Sequence, residues 1–341
     1  MDVHSSESQV PISPPAARTK RRWVFRAILI LLMALCVGEI ISRFYLGLGD
    51  PLIYVADEKI QFYCKPSHTY HRFGNTISIN AYGMRSADFP PHKINPNELR
   101  ILVIGDSVIF GGAQVDQPDV CTSVAQRILR HDLQRPVVVA NVSAGNWRLT
   151  NMDEYIKRFG TFDADVMIIV LSAHDYAYAA RPFPYTDFDP DFPSRAPLLA
   201  LSELIGRYGV RYVGYYLHRT HAPPDNLSIV ATQSDIDAGM SAFRDILTTA
   251  KNRNIRVAVL QHLRTTEYDK PEKPGHALIK NTAESFGVPV IQLAPEFKAA
   301  MDAGHSPYRD DIHTSATGQA IIASAIVREV ESLVKSPATR P

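Results

Sequence analysis

A chain of 341 residues, 45% of them hydrophobic and 21% charged, has the apolar content to bury a full core, which excludes a disordered chain and leaves room for one large α/β domain with additions. Lys and Arg number 36 against 35 Asp and Glu, and no basic patch lies outside the N-terminus, so nothing favours nucleic acid as a partner. The 3 cysteines, Cys36, Cys64 and Cys121, show no C-x-x-C or Cys/His spacing of the kind a zinc site needs.

Residues 1–22 read as a basic cytoplasmic tail: Met1 to Thr19 are rich in Ser and Pro and expected to be disordered, and Lys20, Arg21 and Arg22 close the stretch. Residues 23–48 are apolar, and about 20 helical residues suffice to cross a hydrocarbon layer of about 30 Å. Arg26, Glu39 and Arg43 fall near the two ends, where side chains snorkel to headgroups, and Trp23, Phe44 and Tyr45 suit the interfaces. No small-x-small cleavage site follows the apolar core, and Leu35 before Cys36 does not suit lipoprotein processing. The basic cluster on the N-terminal side holds Met1 in the cytoplasm. The segment is therefore expected to be a transmembrane signal anchor in a bacterial inner membrane, with the rest of the chain in the periplasm or an equivalent outer compartment. In such a compartment Cys64 and Cys121 have two readings, a disulfide or two separate buried thiols.

Residues 49–98 carry Pro51, Pro66, Pro90, Pro91 and Pro96 with several aromatics, and read as a small β-rich lead-in with one hairpin across Phe73-Gly74-Asn75. Residues 99–336 then alternate strands with helices, the pattern of a doubly wound parallel sheet of about five strands in a three-layer α/β sandwich. The strands are Ile101 to Ile104, Pro136 to Val142, Asp165 to Leu171, Ile255 to Gln261 and Val288 to Leu293. Helices are expected at Val120 to Leu133, Asn151 to Phe159, Asp235 to Arg253, His276 to Phe286, Pro295 to Ala303 and Thr317 to Leu333. Between about 176 and 233 the periodicity lapses and Pro, Tyr and Asp crowd together. That stretch, with a helix at Pro197 to Tyr208, reads as an insertion over the crevice that shapes substrate choice.

The first strand runs straight into Gly105, Asp106 and Ser107, which puts a hydroxyl at the carboxyl end of a strand, where ligands bind in open α/β sheets. A serine hydroxyl is a poor nucleophile until a base takes its proton, and histidine suits that task near neutral pH. Ahead of the last helix, Tyr308 to Gly318 supplies Asp310 and His313, three residues apart. His313 is assigned as the base and Asp310 as the acid that fixes its tautomer, with Asp311 pointing away.

The pairing of G-D-S after an early strand with D-x-x-H before the last helix resembles the SGNH (GDSL-type) hydrolase and acyltransferase superfamily, over roughly Leu99 to Lys335. The resemblance implies catalytic Ser107, His313 and Asp310, no cofactor and no metal. It also implies an oxyanion hole from the backbone N–H groups of Ser107 and Gly145 with a third donor from an Asn after the third strand. Here Ser172-Ala173-His174-Asp175 puts His174 where that Asn is expected, and Asn146 is a substitute donor. The S-A-G-x-W and H-D forms of these two blocks, and the stretch Asn80 to Arg85, are similar to membrane-anchored members associated with bacterial exopolysaccharide systems. The implied activity is a serine esterase acting on O-acyl, chiefly acetyl, groups of an acylated small molecule or polysaccharide. Water as acceptor gives the esterase and a sugar hydroxyl gives an O-acyltransferase; a binding or scaffold protein with a decayed site is the non-catalytic alternative. Ser107 lacks the second Gly of a G-x-S-x-G elbow, and no dinucleotide fingerprint, phosphate-binding lysine loop or H-E-x-x-H is present. His262, at a strand end, is a further candidate to line the crevice.

Overall fold

The computed structural model describes residues 16–177, 183–209 and 231–335. Its first helix, α1, spans Ala16–Ile40 and continues as a π-helical turn over Ile41–Tyr45; the stretch Arg21–Tyr45 is long and apolar enough to cross a membrane, and it is exposed from Arg21 to Val37, while Ser42 near its end is buried. The part of the expected disordered tail before residue 16 lies outside the described residues. From Ala16 onward the chain is helical instead, since Ala, Arg and Lys are strong helix formers. Glu39 and Arg43 do not reach for headgroups. They form an i,i+4 pair at 2.8 Å, and the Glu39 carboxylate also accepts the N–H groups of Ala200 and Leu201.

Two antiparallel hairpins follow, β1 (Tyr54–Asp57) with β2 (Gln61–Cys64) and β3 (His68–Arg72) with β4 (Asn75–Ile79). The second turns at Phe73-Gly74, as the sequence suggests. The first carries no Gly or Pro; Asp57 closes it by accepting the N–H groups of Lys59 and Ile60, both at 2.9 Å, a turn signal weak enough to escape a reading by residue type. The lead-in packs on the larger unit. Trp147 Nε1 donates to the Phe62 carbonyl at 2.9 Å, and the buried Arg85 donates to the carbonyls of Phe110, Gly112 and Val115.

The central sheet has five parallel strands in the order β6 (Val137–Ser143), β5 (Leu99–Gly105), β7 (Val166–Ser172), β8 (Arg256–His262), β9 (Val290–Gln292). β5 and β7 are buried along their whole length, as strands of a parallel sheet covered on both faces must be. Leu102 and Ile104 face one layer, with Met167 and Ile169, while Ile101 and Val103 face the other, with Ile168 and Val170. The first layer holds α4 (Leu149–Phe159), α6 (Gln233–Asn252), α7 (Pro274–Ser285) and the lead-in; the second holds α3 (Cys121–Leu133), α8 (Ala294–Asp302) and α9 (Ala316–Lys335). Chain order places β6 on one side of β5 and β7 on the other, so the direction of winding reverses between the carboxyl ends of β5 and β7.

Cys64 and Cys121 are buried, free thiols. They belong to the two apolar layers on opposite faces of the sheet, which rules out the disulfide reading, and burial pushes each thiol up to about 12. In the insertion, α5 is short (Ala200–Glu203) and runs into a π-helical turn over Leu204–Gly209; it starts later than expected because Glu39 receives the N–H groups of Ala200 and Leu201. The described part of the insertion goes two ways, one arm packing near Gly145 and the other against α1. Residues 178–182 and 210–230 of the expected insertion lie outside the described residues.

Candidate active site

Gly105 ends β5 because the chain doubles back there: a Cβ at this position would lie 2.6 Å from Cγ1 of Ile109. The short helix α2 (Ser107–Phe110) folds over the strand end, and Asp106 caps it by accepting the N–H of Val108 at 2.9 Å. Ser107 is thereby the first residue of a helix whose other three members are buried.

The second half of the arrangement lies on the loop between α8 and α9. Asp310 Oδ1 accepts the N–H groups of Ile312 and His313, at 3.0 and 2.7 Å, and its Oδ2 sits 2.8 Å from His313 Nδ1. A carboxylate only accepts, so Nδ1 carries the proton and Nε2 presents its lone pair to Ser107 Oγ at 3.0 Å. Burial alone would raise the Asp310 carboxyl, but the bonds from the His313 ring, the His313 N–H and the Ile312 N–H outweigh it and hold the group well below the usual carboxylate range. Asp311 does point away, accepting from Thr265 Oγ1 at 2.7 Å and pairing with Arg264 at 2.8 Å.

Two buried residues hold the loop in place, His262, which the sequence offers as a crevice residue, and Gln319, which no motif marks. His262 is buried rather than lining the crevice; its Nε2 donates to the Ile312 carbonyl at 2.9 Å, and burial pulls the ring down to about 4. The buried Gln319 donates to the Val108 carbonyl at 2.7 Å and to Thr314 Oγ1 at 2.6 Å, and accepts the Cys121 N–H at 2.8 Å. Gln319 thus ties the serine helix to the histidine loop across some two hundred residues of sequence. No residue-type pattern marks such a glutamine; only its place on the buried stripe of α9, one turn after the D-x-x-H segment, could have flagged it.

At the neighbouring strand end, His174 sits in a 3-10 turn, Ala173–Tyr176. The close approach of α7 fixes this turn, since a Cβ on Gly275 would come within 1.9 Å of the Ala173 carbonyl oxygen. His174 Nε2 lies 3.4 Å from Asp106 Oδ2 and 3.6 Å from Asp175 Oδ1, and its Nδ1 is buried with no hydrogen-bond partner. The ring is therefore directed at two carboxylates. Arg148 joins the group, 3.7 Å from Asp175. Burial raises Asp106, but His174 and the Val108 N–H outweigh that and leave its carboxyl low; for Asp175 burial wins over His174 and Arg148, and the group rises to about 6. Asp106, His174 and Asp175 are also the residues whose ligand atoms, all within 4.8 Å of one another, form the metal-type grouping among the described residues. Arg148 already supplies the cationic charge that a metal would bring.

The arm of the insertion from Phe183 to Pro193 reaches the block after β6. The Phe192 ring and Tyr54 Oη stand 3.9 Å from the place a Cβ on Gly145 would occupy. Asn146, held at φ +64°, donates from Nδ2 to Tyr185 Oη at 3.2 Å. The ring of Tyr185 meets Phe62, Phe192 and the exposed Phe188.

A family model described as the GDSL-like Lipase/Acylhydrolase family matches residues 103–321. No curated protein sequence matches the chain. Among solved structures it is similar to an acetyl xylan esterase, AlAXEase, at 12% identity, covering 68% of this chain and 100% of that one with a TM-score of 0.41. A mutant of an acetyl-xylooligosaccharide esterase from Geobacillus is 12% identical over 71% of this chain and 97% of that one, TM-score 0.43. A lipase/acylhydrolase from Enterococcus faecalis is 14% identical over 71% of this chain and 100% of that one, TM-score 0.43.

Proposed function

Because this chain belongs to the GDSL-like lipase/acylhydrolase family and is a serine hydrolase acting on esters, we propose that its nucleophile is Ser107, with His313 as general base and Asp310 as the residue that orients it. The observation that carries this is the unbroken line from Ser107 Oγ to His313 Nε2 at 3.0 Å and from His313 Nδ1 to Asp310 Oδ2 at 2.8 Å. His313 takes the hydroxyl proton as Oγ attacks the ester carbonyl. The imidazolium then returns that proton to the leaving alcohol, and an acyl-serine remains. Water, deprotonated by the same ring, attacks the acyl carbon; the Oγ–acyl bond breaks, Oγ regains its proton and the acid leaves. In this reading the negative charge on the carbonyl oxygen is met by the N–H groups of Ser107 and Gly145, with the Asn146 amide as the substitute third donor. His174 has no role in that hole in this reading, because its Nε2 faces carboxylates and its Nδ1 is buried.

The substrate in this reading is an O-acetylated glycan, outside the cytoplasm of a bacterium, with the chain anchored in the inner membrane by Arg21–Tyr45. The aromatic cluster beside Gly145 supports the glycan, since the exposed rings of Phe183 and Phe188 offer flat apolar faces on the arm that touches the site block. The basic residues just before the span support the orientation. The test is turnover of p-nitrophenyl acetate by wild type and Ser107→Ala, with and without an oligosaccharide acceptor. The expected result is acetate release that the substitution reduces to background; acetylated oligosaccharide in place of acetate would identify a transferase, and equal turnover by both proteins would remove Ser107 as nucleophile.

A further inference from the structure

The insertion arm from Leu198 to Ile205 is tied to the end of the apolar helix in an unusual way. Glu39 accepts the N–H groups of Ala200 and Leu201, both at 2.9 Å, and Arg43 Nη2 donates to the Leu198 carbonyl at 3.0 Å. Leu201 packs so closely that a Cβ on Gly38 would lie 3.3 Å from its Cδ2. From the other side, the buried Glu203 accepts the Gly49 N–H at 2.7 Å and pairs with Arg72 of the lead-in. Leu48 is buried, so the span passes into the rest of the molecule without a loose linker. The arm is thus fixed at the level of residues 38–43, within about two turns of the end of the span at Tyr45.

At that level it turns apolar side chains outward. Leu198 is 95% exposed, Leu199 55% and Ile205 60%, and Phe44 and Tyr45 stand exposed on the helix beside them. Leucines so placed belong against an apolar medium, and Phe and Tyr at the end of a span belong at the lipid–water boundary. Polar groups that a bilayer would not tolerate are matched here: Glu39 with Arg43, the Leu198 carbonyl with Arg43, and the Ala200 and Leu201 N–H groups with Glu39.

From this we infer that Leu198 to Ile205 is a second membrane contact, an apolar wedge seated in the lipid beside the exit of α1, which holds the catalytic unit in one orientation over the bilayer. It rests on the reading of Arg21–Tyr45 as a membrane span. The test uses the full chain in vesicles of phosphatidylethanolamine and phosphatidylglycerol. A nitroxide is placed on Leu198→Cys or on Ile94→Cys, each in a Cys36→Ser background, or on the native Cys36 of the span; Cys64 and Cys121 are buried and do not compete. Ile94, 83% exposed on the loop before β5, is the aqueous reference. Collisions with oxygen and with a nickel chelate are then compared. The expected result is a lipid-like ratio at 198, as at Cys36, and a water-like ratio at 94. A water-like label at 198 with a lipid-like Cys36 overturns the wedge and leaves the span; water-like labels at all three overturn both. A label at 198 that neither reagent reaches means protein covers the arm, and also overturns the proposal.

Discussion

Two loops at the carboxyl edge of the sheet each present a histidine, and what surrounds their nitrogens makes them different instruments. On the loop after α8, His313 has one nitrogen against Asp310 and the other against Ser107, so a proton has somewhere to come from and a charge somewhere to rest. On the turn after β7, His174 has one nitrogen against two carboxylates and the other buried without a partner. The same side chain can pass a proton between two partners in the first setting and has only carboxylates to contact in the second. The pattern of donors and acceptors, more than the residue type, decides the role.

The largest expected break in that comparison comes from Asp310→Asn. The amide keeps the acceptor for the Ile312 and His313 N–H groups but loses the charge that fixes the ring, so kcat should fall on the order of 1000- to 10,000-fold with little change in fold. Steady-state kinetics and far-ultraviolet circular dichroism check it, and a loss under about tenfold would detach Asp310 from the relay. Because Asp310 is held low, its own protonation should not limit activity through the ordinary carboxylate range.

The contrast between donors is sharpened by Asn146→Ala against His174→Ala. Loss of an oxyanion donor typically lowers kcat by roughly 100- to 1000-fold, which is the expectation for Asn146→Ala, with only a small fall in Tm from the lost bond to Tyr185 and the backbone φ of +64°. His174→Ala strips a partner from two buried carboxylates, so Tm should fall, with any loss of activity following the serine helix that Asp106 caps. Differential scanning calorimetry beside kinetics separates the two. An unchanged Tm with a large loss of kcat in His174→Ala would return His174 to the oxyanion hole that its place in the sequence suggests.

How far sequence reaches is itself different in the two loops. Ser107, Asp310 and His313 are found together because short patterns carry them and each pattern sits where a strand or helix must begin or end. The five strands and their parallel winding are equally visible, since apolar runs bounded by turns have little other choice. What lies beyond pattern is the set of contacts between distant segments: Gln319 bridging two loops, Arg85 gathering three carbonyls behind the serine helix, Asp57 closing a turn without glycine. His262 is the plainest case. A histidine at a strand end invites a place in the crevice, and only the packing of Phe297 and Tyr308 around its ring shows that it is a buried donor instead.

The smallest of these effects is a matter of pH. Burial holds neutral His262 down at about 4, whereas the unfolded ring titrates near 6.5. Between those values the unfolded chain binds more protons, so stability rises with pH across the window and is lost as pH falls through it, by at most roughly 3 kcal/mol. Asp175, raised to about 6, works in the opposite direction over much of the same window, and it is common to wild type and variant. Thermal melts of His262→Gln from pH 4 to 7 should therefore show a flatter acid limb than wild type, and superimposable limbs would mean that His262 does not set it.

The most direct measurement of the central claim is reaction of the full chain with a fluorophosphonate ester, followed by peptide mass mapping. A hydroxyl activated by His313 should take up one phosphonyl group on the peptide that contains Ser107, and the adduct should vanish in both Ser107→Ala and His313→Ala. An adduct that survives either substitution, or that maps to another serine, would contradict the account.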